Sequence, residues 1–383
     1  MSRRLVFVVS GMRSLPGGIA AVDENLLILL ADLVRAGRLQ LEIESLLEEP
    51  AHRPAELPQG ISFRAHRGSK APLAARLLRH ALAGKWLLYE RVGLAAATAP
   101  LAAAGAARTI VLAHGAETWH EVKPLHALAL RAARLVITNS AYTLGRMRAC
   151  RPLAGRFRGV ACPLGLSPAF PLLDAPPADA EGTLPLTAVD GKTRALGSAV
   201  LLLVGRMDPG EREKGHDRLI EVLPDVLPHH PEAQLVFAGP GSDRERLEAL
   251  ARARGVAGSV FFPGRVSTET LGDLYRRCFA FVMPSRQEGF GLVYLEAMNY
   301  AKPCLGCRED GAEDVIADGD TGILLEDALD RPALARALCG LLDDPRRAAA
   351  MGHRGFERLH RHFTAEQFRA RFRAILERTV PGL

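Results

Sequence analysis

The chain has 383 residues, of which 48% are hydrophobic and 24% charged, and its formal net charge is +6. This size and composition favour two packed domains and exclude a disordered chain. An aromatic content of 5% argues against a basic, aromatic platform for nucleic acid. No stretch approaches the roughly 20 apolar residues of a membrane-spanning helix.

The first half alternates short apolar runs with amphipathic stretches. The runs lie at 5–9, 86–89, 109–113 and 135–138, and the amphipathic stretches at 19–36, 73–82 and 122–133. Short apolar runs between helices are typical of parallel strands covered on both faces. We therefore predict a doubly wound, Rossmann-like α/β domain over residues 1–168. The first run is too short for a signal peptide and the six cysteines form no disulfide framework, which favours the cytoplasm.

The second half repeats this pattern after a proline-rich stretch. Residues 169–198 are predicted to be an interdomain linker, and 199–360 a second Rossmann-like domain. Residues 361–383 are predicted to form a C-terminal helix that packs back toward the N-terminal domain. Open α/β sheets bind ligands beyond the carboxyl ends of their strands. Two such domains would therefore face each other across a ligand-binding cleft.

The segment PSRQEGFGLVYLE, residues 284–296, carries the strongest signal. It leads from a predicted strand into a helix, whose first turn offers free N–H groups to a phosphate or a sugar. Glu288 and Glu296 are separated by roughly 10 Å of helix, more than the carboxylate spacing of a glycoside hydrolase. That distance suits two acceptors that bind two sugars of one elongated ligand.

Two cations occur at the corresponding place after another strand. Arg206 follows the strand at 199–204, and Lys214 opens the next helix. An Arg fork and a Lys point charge at such a position are expected where a diphosphate is bound. Asp318 and Asp320 form an Asp-x-Asp pair, but their surroundings predict a turn, so we expect no metal site.

The order GR…KG, FAGPG, FPGRV and EGFG…E resembles the retaining GT-B glycosyltransferases of glycosyltransferase family 4, the group 1 glycosyltransferases, whose E-x7-E motif matches Glu288 and Glu296. The resemblance covers the whole chain and is most specific from Val204 to Leu325. One departure is the stretch from Asp310 to Asp314, where the family often has Gly-Gly-x-Pro-Glu.

The resemblance implies a function for most of the candidate residues. Arg206 and Lys214 would hold the donor diphosphate, Glu288 the donor sugar and Glu296 the ribose, while His114 would contact the sugar near the reacting carbon. The other implied donor-binding residues are Gly17, Gly18, Gly239, Arg265, Val266, Gly289, Phe290, Gly291 and Leu292.

The implied activity is the metal-independent, retaining transfer of a hexose from a UDP- or GDP-sugar to a glycan or lipid-linked acceptor. The nucleotide-sugar is then a substrate, and no cofactor is expected. Two alternatives stay open: a GT-B phosphorylase or epimerase, and a non-catalytic nucleotide-sugar-binding subunit.

The acceptor side carries weaker signals. Asn139 and Ser140 follow a predicted strand, where they would cap a helix or reach the cleft. Basic residues between Arg64 and Arg91 accompany a leucine stripe, and a second basic cluster runs from Arg146 to Arg158. These segments either dock on the anionic inner face of the plasma membrane or pack on the sheet with solvated arginines.

Overall fold

The computed structural model of the chain describes residues 3–12, 17–49, 53, 57–119, 121–178 and 180–383. Their contacts divide the chain into two compact units. The first comprises 1–168 together with 365–383, and the second comprises 169–364. Among the described residues, none of the helices is both long and apolar enough to span a bilayer.

The first unit is built around a seven-stranded parallel sheet. Its strands are β1 (Arg3–Val9), β2 (Leu39–Ser45), β3 (Ser62–Ala65), β4 (Trp86–Tyr89), β5 (Arg108–Ala113), β6 (Leu135–Thr138) and β7 (Gly159–Ala161). The accompanying helices are α1 (Gly18–Arg35), α2 (Lys70–Leu82), α3 (Val92–Ala95), α4 (Ala99–Ala103), α5 (Pro124–Ala132) and α6 (Ala141–Ala149). The strand order is β3-β2-β1-β4-β5-β6-β7, so the winding direction reverses between β1 and β4.

The second unit contains a two-stranded hairpin and a six-stranded parallel sheet. Its strands are β8 (Pro185–Thr187), β9 (Thr193–Ala195), β10 (Val200–Val204), β11 (Gln234–Ala238), β12 (Val260–Gly264), β13 (Ala280–Val282), β14 (Cys304–Cys307) and β15 (Gly322–Leu325). Its helices are α7 (His216–Val226), α8 (Arg244–Ala253), α9 (Thr268–Arg277), α10 (Leu292–Asn299), α11 (Ala312–Val315), α12 (Arg331–Asp343) and α13 (Pro345–His362). The order β12-β11-β10-β13-β14-β15 reverses between β10 and β13.

Burial explains why the apolar runs form strands. Residues 5–9 of β1 and 200–203 of β10 are each at most 1% exposed, as expected for central parallel strands covered on both faces. The structure confirms the predicted doubly wound α/β class in both units. The reversal points matter most, because the loops that leave neighbouring strands in opposite directions open a crevice there.

Two further segments complete the architecture. The stretch 169–198 lies in the second unit and carries the antiparallel hairpin β8–β9, to which Ala188 adds a bridge with Phe261 of β12. The tail beyond 330 forms α12, α13 and α14 (Ala365–Thr379). Helix α14 belongs to the first unit, where it contacts α1.

Candidate active site

The loop after β10 brings Arg206 and Lys214 to the reversal point of the second sheet. It passes through a 3-10 segment, Pro209–Lys214, and enters α7 through Gly215, whose φ is 95°. A Cβ on Gly215 would lie 2.6 Å from the carbonyl oxygen of Pro284, just beyond β13. Only glycine permits this left-handed, close approach, and it brings Lys214 beside the loop that follows β13.

Lys214 and Glu288 form an ion pair across this reversal point. Lys214 Nζ lies 2.9 Å from Glu288 Oε2, and both side chains are about four-fifths buried. The pKa of Lys214 is raised, chiefly by the Glu288 carboxylate, although burial opposes this. Burial also favours a neutral Glu288, but the Lys214 ammonium and the N–H groups of Phe290 and Gly289 outweigh it and lower the pKa of Glu288. Both groups are therefore charged at neutral pH.

Arg206 extends this site toward solvent. Its side chain is 60% exposed, and Nη2 donates to the Glu211 carboxylate. The other oxygen of Glu211 lies 3.5 Å from Lys214 Nζ. Arg206, Lys214 and Glu288 thus belong to one network of charges, in which Glu211 was not anticipated from the sequence.

The Glu288 loop is held by the loop that follows β14. Glu288 donates its backbone N–H to Asp310 Oδ2 at 3.3 Å and accepts from the N–H of Gly311 at 2.9 Å. Ser285 Oγ also donates to Asp310 Oδ2, at 2.8 Å. Burial, reinforced by the Glu288 carboxylate, raises the pKa of Asp310 to about 7. Asp310 therefore fixes the backbone around Glu288, and its position just beyond a buried strand was the signal that could have identified it.

Gly289 and Gly291 permit a tight entry into α10. Gly291 has a φ of 84°, and a Cβ there would lie 3.4 Å from Cγ of Glu288. This left-handed residue delays the helix to Leu292, two residues later than expected. The Phe290 side chain is buried and meets Phe363 edge to face at 6.0 Å. Phe290 therefore anchors the loop, while its N–H group faces the Glu288 carboxylate.

Glu296 lies further along α10 in a buried aromatic setting. It is 8% exposed and accepts a 2.8 Å hydrogen bond from the hydroxyl of Tyr275. Burial raises the pKa of Glu296 to about 7, and the Tyr275 bond offsets part of that effect. Tyr275 in turn stacks on Tyr300, with ring centroids 5.6 Å apart. Tyr275 is a further site residue that the sequence alone did not reveal.

The ends of β10, β11 and β12 are drawn together by glycines. Gly239 donates its N–H to the carbonyl of Gly264 at 2.9 Å, and a Cβ on Gly239 would lie 2.0 Å from the oxygen of Gly205. Arg265 is exposed and Val266 half-buried at this edge. The expected border of the donor site therefore lies on the same side of the sheet as Arg206.

In the first unit, His114 belongs to a hydrogen-bonded row along the carboxyl edge of the sheet. Ser10, Glu90, His114 and Asn139 follow β1, β4, β5 and β6. Ser10 N–H donates to the buried Glu90 carboxylate, His114 Nε2 donates to the Glu90 carbonyl at 2.7 Å, and Asn139 Nδ2 donates to the His114 carbonyl at 2.8 Å. Because a carbonyl only accepts, Nε2 carries the hydrogen, and Nδ1 is the lone-pair atom of the neutral ring.

The remaining candidates of the first unit have backbone roles. Ser140 is fully buried and its Oγ caps α6 by accepting from the N–H of Thr143 at 2.9 Å. Gly17, with a φ of 138°, precedes α1, and Gly18 is its first residue. The neighbouring Pro16 lies outside the described residues.

The Asp-x-Asp pair is engaged by arginines. Asp318 pairs with Arg308 at 2.7 Å and Asp320 with Arg354 at 2.6 Å, while the N–H of Leu324 donates to the other oxygen of Asp318 at 2.9 Å. Within the described ranges, no three His, Cys, Asp or Glu side chains form a group that could hold a metal ion.

Comparison with solved structures identifies the architecture. Sucrose-phosphate synthase from Thermosynechococcus elongatus superposes with a TM-score of 0.73 at 20% identity, covering 98% of this chain and 99% of that one. HepE of Anabaena in complex with UDP gives a TM-score of 0.69 at 15% identity, covering 98% and 100%. These matches extend over almost the whole chain and confirm the predicted GT-B fold.

Sequence comparison identifies the family. Residues 190–358 match the family model described as glycosyl transferases group 1. The chain is 32% identical over 286 residues to a GDP-mannose-dependent alpha-(1-6)-phosphatidylinositol monomannoside mannosyltransferase of Mycolicibacterium smegmatis, covering 70% of this chain and 69% of that relative. The charged pair at the reversal point therefore lies within the matched region, and the chain is an enzyme that belongs to the group 1 glycosyltransferases.

Proposed function

We propose that this glycosyltransferase moves a hexose from a nucleoside-diphosphate sugar, with retention of anomeric configuration, to a lipid-linked or glycan acceptor. The Lys214–Glu288 pair at the β10–β13 reversal point is the observation that carries this proposal. It places a buried cation and an ionised acceptor side by side. The cation can bind a diphosphate, and the acceptor can bind the hydroxyl groups of a sugar.

The chemistry assigned to each group follows from its charge. Negative charge grows on the leaving diphosphate as the sugar–phosphate bond breaks, and the Lys214 ammonium and Arg206 guanidinium stabilise that charge without reorganisation. Glu288 accepts hydrogen bonds from donor sugar hydroxyls and holds the ring in place. Glu296 accepts from the ribose hydroxyls, and Gly239, Arg265 and Val266 border the base. We propose that no metal ion is needed, because fixed cations supply the charge.

His114 is proposed to contact the sugar through Nδ1. The Glu90 carbonyl occupies Nε2–H, so Nδ1 is the ring nitrogen left for a ligand, and in the Nε2–H tautomer it presents a lone pair. His114 would then accept a hydrogen bond from a sugar hydroxyl. Gly17, Gly18 and Asn139 lie at the same carboxyl edge of the first sheet and are proposed to contact the donor or the acceptor.

A lipid-linked acceptor is favoured by the surface of α2. Leu82 and Leu78 are 71% and 37% exposed. Four basic residues in α2 or shortly before it are exposed as well: Arg64, Arg67, Lys70 and Arg79. Leu73 and Leu77 are buried against the sheet. One part of the leucine stripe therefore packs on the sheet, and the other part, Leu78 and Leu82, is left for a membrane. We propose that this face of α2 binds an anionic membrane. The relative from M. smegmatis acts, by its name, on a phosphatidylinositol mannoside.

Binding of UDP- and GDP-sugars to the purified chain in EDTA tests the proposal. The donor should raise the free energy of unfolding by about 2.7 kcal/mol at 100 times its Kd. Arg206→Ala should abolish this shift, whereas Arg254→Ala, which removes an exposed arginine paired with Glu221, should retain it.

Other outcomes would favour a different function. Formation of a sugar 1-phosphate with inorganic phosphate would indicate a phosphorylase. Donor binding without transfer to any acceptor would indicate a non-catalytic subunit, and binding that requires magnesium would contradict metal independence.

A further inference from the structure

Glu211 contacts both cations that are proposed to hold the donor diphosphate. One carboxylate oxygen accepts from Arg206 Nη2, and the other lies 3.5 Å from Lys214 Nζ. The two cations are held by a single carboxylate, although they come from opposite ends of the loop between β10 and α7. This resembles chemically what a diphosphate would do, since it also offers anionic oxygens to both.

The charges of the four side chains at this site balance. Arg206 and Lys214 contribute two positive charges, and Glu211 and Glu288 contribute two negative ones. If a diphosphate entered this site while Glu211 stayed in place, the two anions would face each other. Like charges in a partly buried site repel strongly. Glu288 is held by the backbone around it, whereas Glu211 lies on a short 3-10 segment beside the exposed Arg206. Of the two carboxylates, that of Glu211 is therefore the one that can move away from the cations.

We propose that Glu211 occupies the diphosphate position before the donor binds, is displaced by the donor, and returns to the cations when the nucleoside diphosphate departs. The inference rests on the proposed function of Arg206 and Lys214. It makes Glu211 a determinant of donor affinity and of product release. No bond is made or broken by Glu211, which exchanges ion-pair partners only.

The proposal predicts that Glu211→Gln binds nucleoside diphosphates more tightly. Partly exposed ion pairs of this kind contribute modestly, so we expect about a three- to tenfold lower Kd for GDP or UDP. The dissociation rate should fall in proportion, and KM and kcat should fall together if product release limits turnover. Titration calorimetry of both nucleotides in EDTA, followed by displacement kinetics, measures these effects.

Glu213→Gln is the matched control, because Glu213 lies in the same 3-10 segment but pairs with Arg218 at 2.7 Å. It should bind like the wild type. An unchanged or higher Kd for Glu211→Gln, with an unchanged unfolding midpoint, would overturn the inference. So would binding that depends on Mg²⁺ and is lost in Glu211→Gln, which would make Glu211 a metal ligand. Failure of the wild type to bind either nucleotide would instead overturn the proposed function.

Discussion

At the residue scale, two carboxyl groups of the second unit have raised pKa values, and they serve the candidate site in different ways. Asp310 accepts hydrogen bonds from the Glu288 loop, whereas Glu296 accepts from Tyr275 and is proposed to meet the donor directly. Burial raises the pKa of both to about 7. Each retains its proton in the folded state at a pH where the unfolded chain has lost it.

The free energy of unfolding of the wild type should fall between pH 5 and pH 8, and Glu296→Gln should make this fall smaller. A carboxyl whose folded pKa is raised binds more protons folded than unfolded, so its ionisation makes the wild type less stable as pH rises through this window. A shift from 4.5 to about 7 corresponds to as much as about 3 kcal/mol. Glutamine keeps an acceptor for Tyr275 and does not titrate.

Urea unfolding of both proteins at pH 5 and pH 8 provides the measurement. The difference in unfolding free energy between the two pH values should be smaller in the variant by up to about 3 kcal/mol. Glu232→Gln, on an exposed glutamate, should behave like the wild type. Equal pH dependence in the wild type and Glu296→Gln would show that Glu296 does not retain its proton on folding.

At the element scale, the sequence predicts strands and helices well because buried parallel strands leave continuous apolar runs. The site residues that it misses depend on contacts between distant segments. Tyr275 reaches Glu296 and Asp310 reaches Glu288 only once α9, α10 and β14 are assembled. The apolar pattern does not predict the hairpin β8–β9, although Asp190-Gly191, a strong turn signal, lies between its strands and Gly191 has a φ of 84°. The prolines before it favour a linker instead.

Gly311→Ala should disturb the element that carries Glu288. A Cβ at Gly311 would lie 2.4 Å from the carbonyl carbon of Gly289 and 2.5 Å from the N of Phe290. Backbone atoms cannot give way as a side chain would, so the 285–291 loop must shift. We expect a loss of about 1 to 3 kcal/mol of stability and a much weaker affinity for the donor.

Gly340→Ala is the matched control for Gly311→Ala, because it makes the same substitution away from the Glu288 loop. Gly340 lies in α12, where an added Cβ meets nothing within 4 Å, so alanine should stabilise the helix by about 0.5 to 1 kcal/mol. Thermal unfolding and nucleotide titration of both variants measure the effects. Normal donor binding by Gly311→Ala would show that the loop tolerates the shift and that its position does not govern the site.

At the scale of the whole molecule, the net charge of +6 and the α2 surface together predict binding to anionic vesicles. Arg64, Arg67, Lys70 and Arg79 are expected to attract the bilayer, at about 1 kcal/mol for each cation near its surface, and Leu78 and Leu82 are expected to enter its interface. Leu78→Ser with Leu82→Ser should weaken binding about tenfold or more, because it removes the apolar contribution and leaves the charges in place.

Sedimentation with vesicles of neutral lipid, and of neutral lipid mixed with an anionic one, measures this binding. Leu329→Ser is the control, since Leu329 is 57% exposed but belongs to the second unit. Wild-type binding should require the anionic lipid and weaken with salt. Equal binding by the double variant, or binding to neutral vesicles alone, would contradict a role for this face.

The placement of α14 has a consequence for how the protein is synthesised. Phe368, Phe372, Ile375 and Leu376 complete the core of the first unit, yet the ribosome makes them only after the entire second unit. During translation the apolar residues of the N-terminal domain that α14 covers therefore stay exposed until the chain is finished. The second domain is synthesised later, but all of its core residues are available before α14 is made. A nascent chain that stops after residue 364 would be damaged in the domain that was translated first.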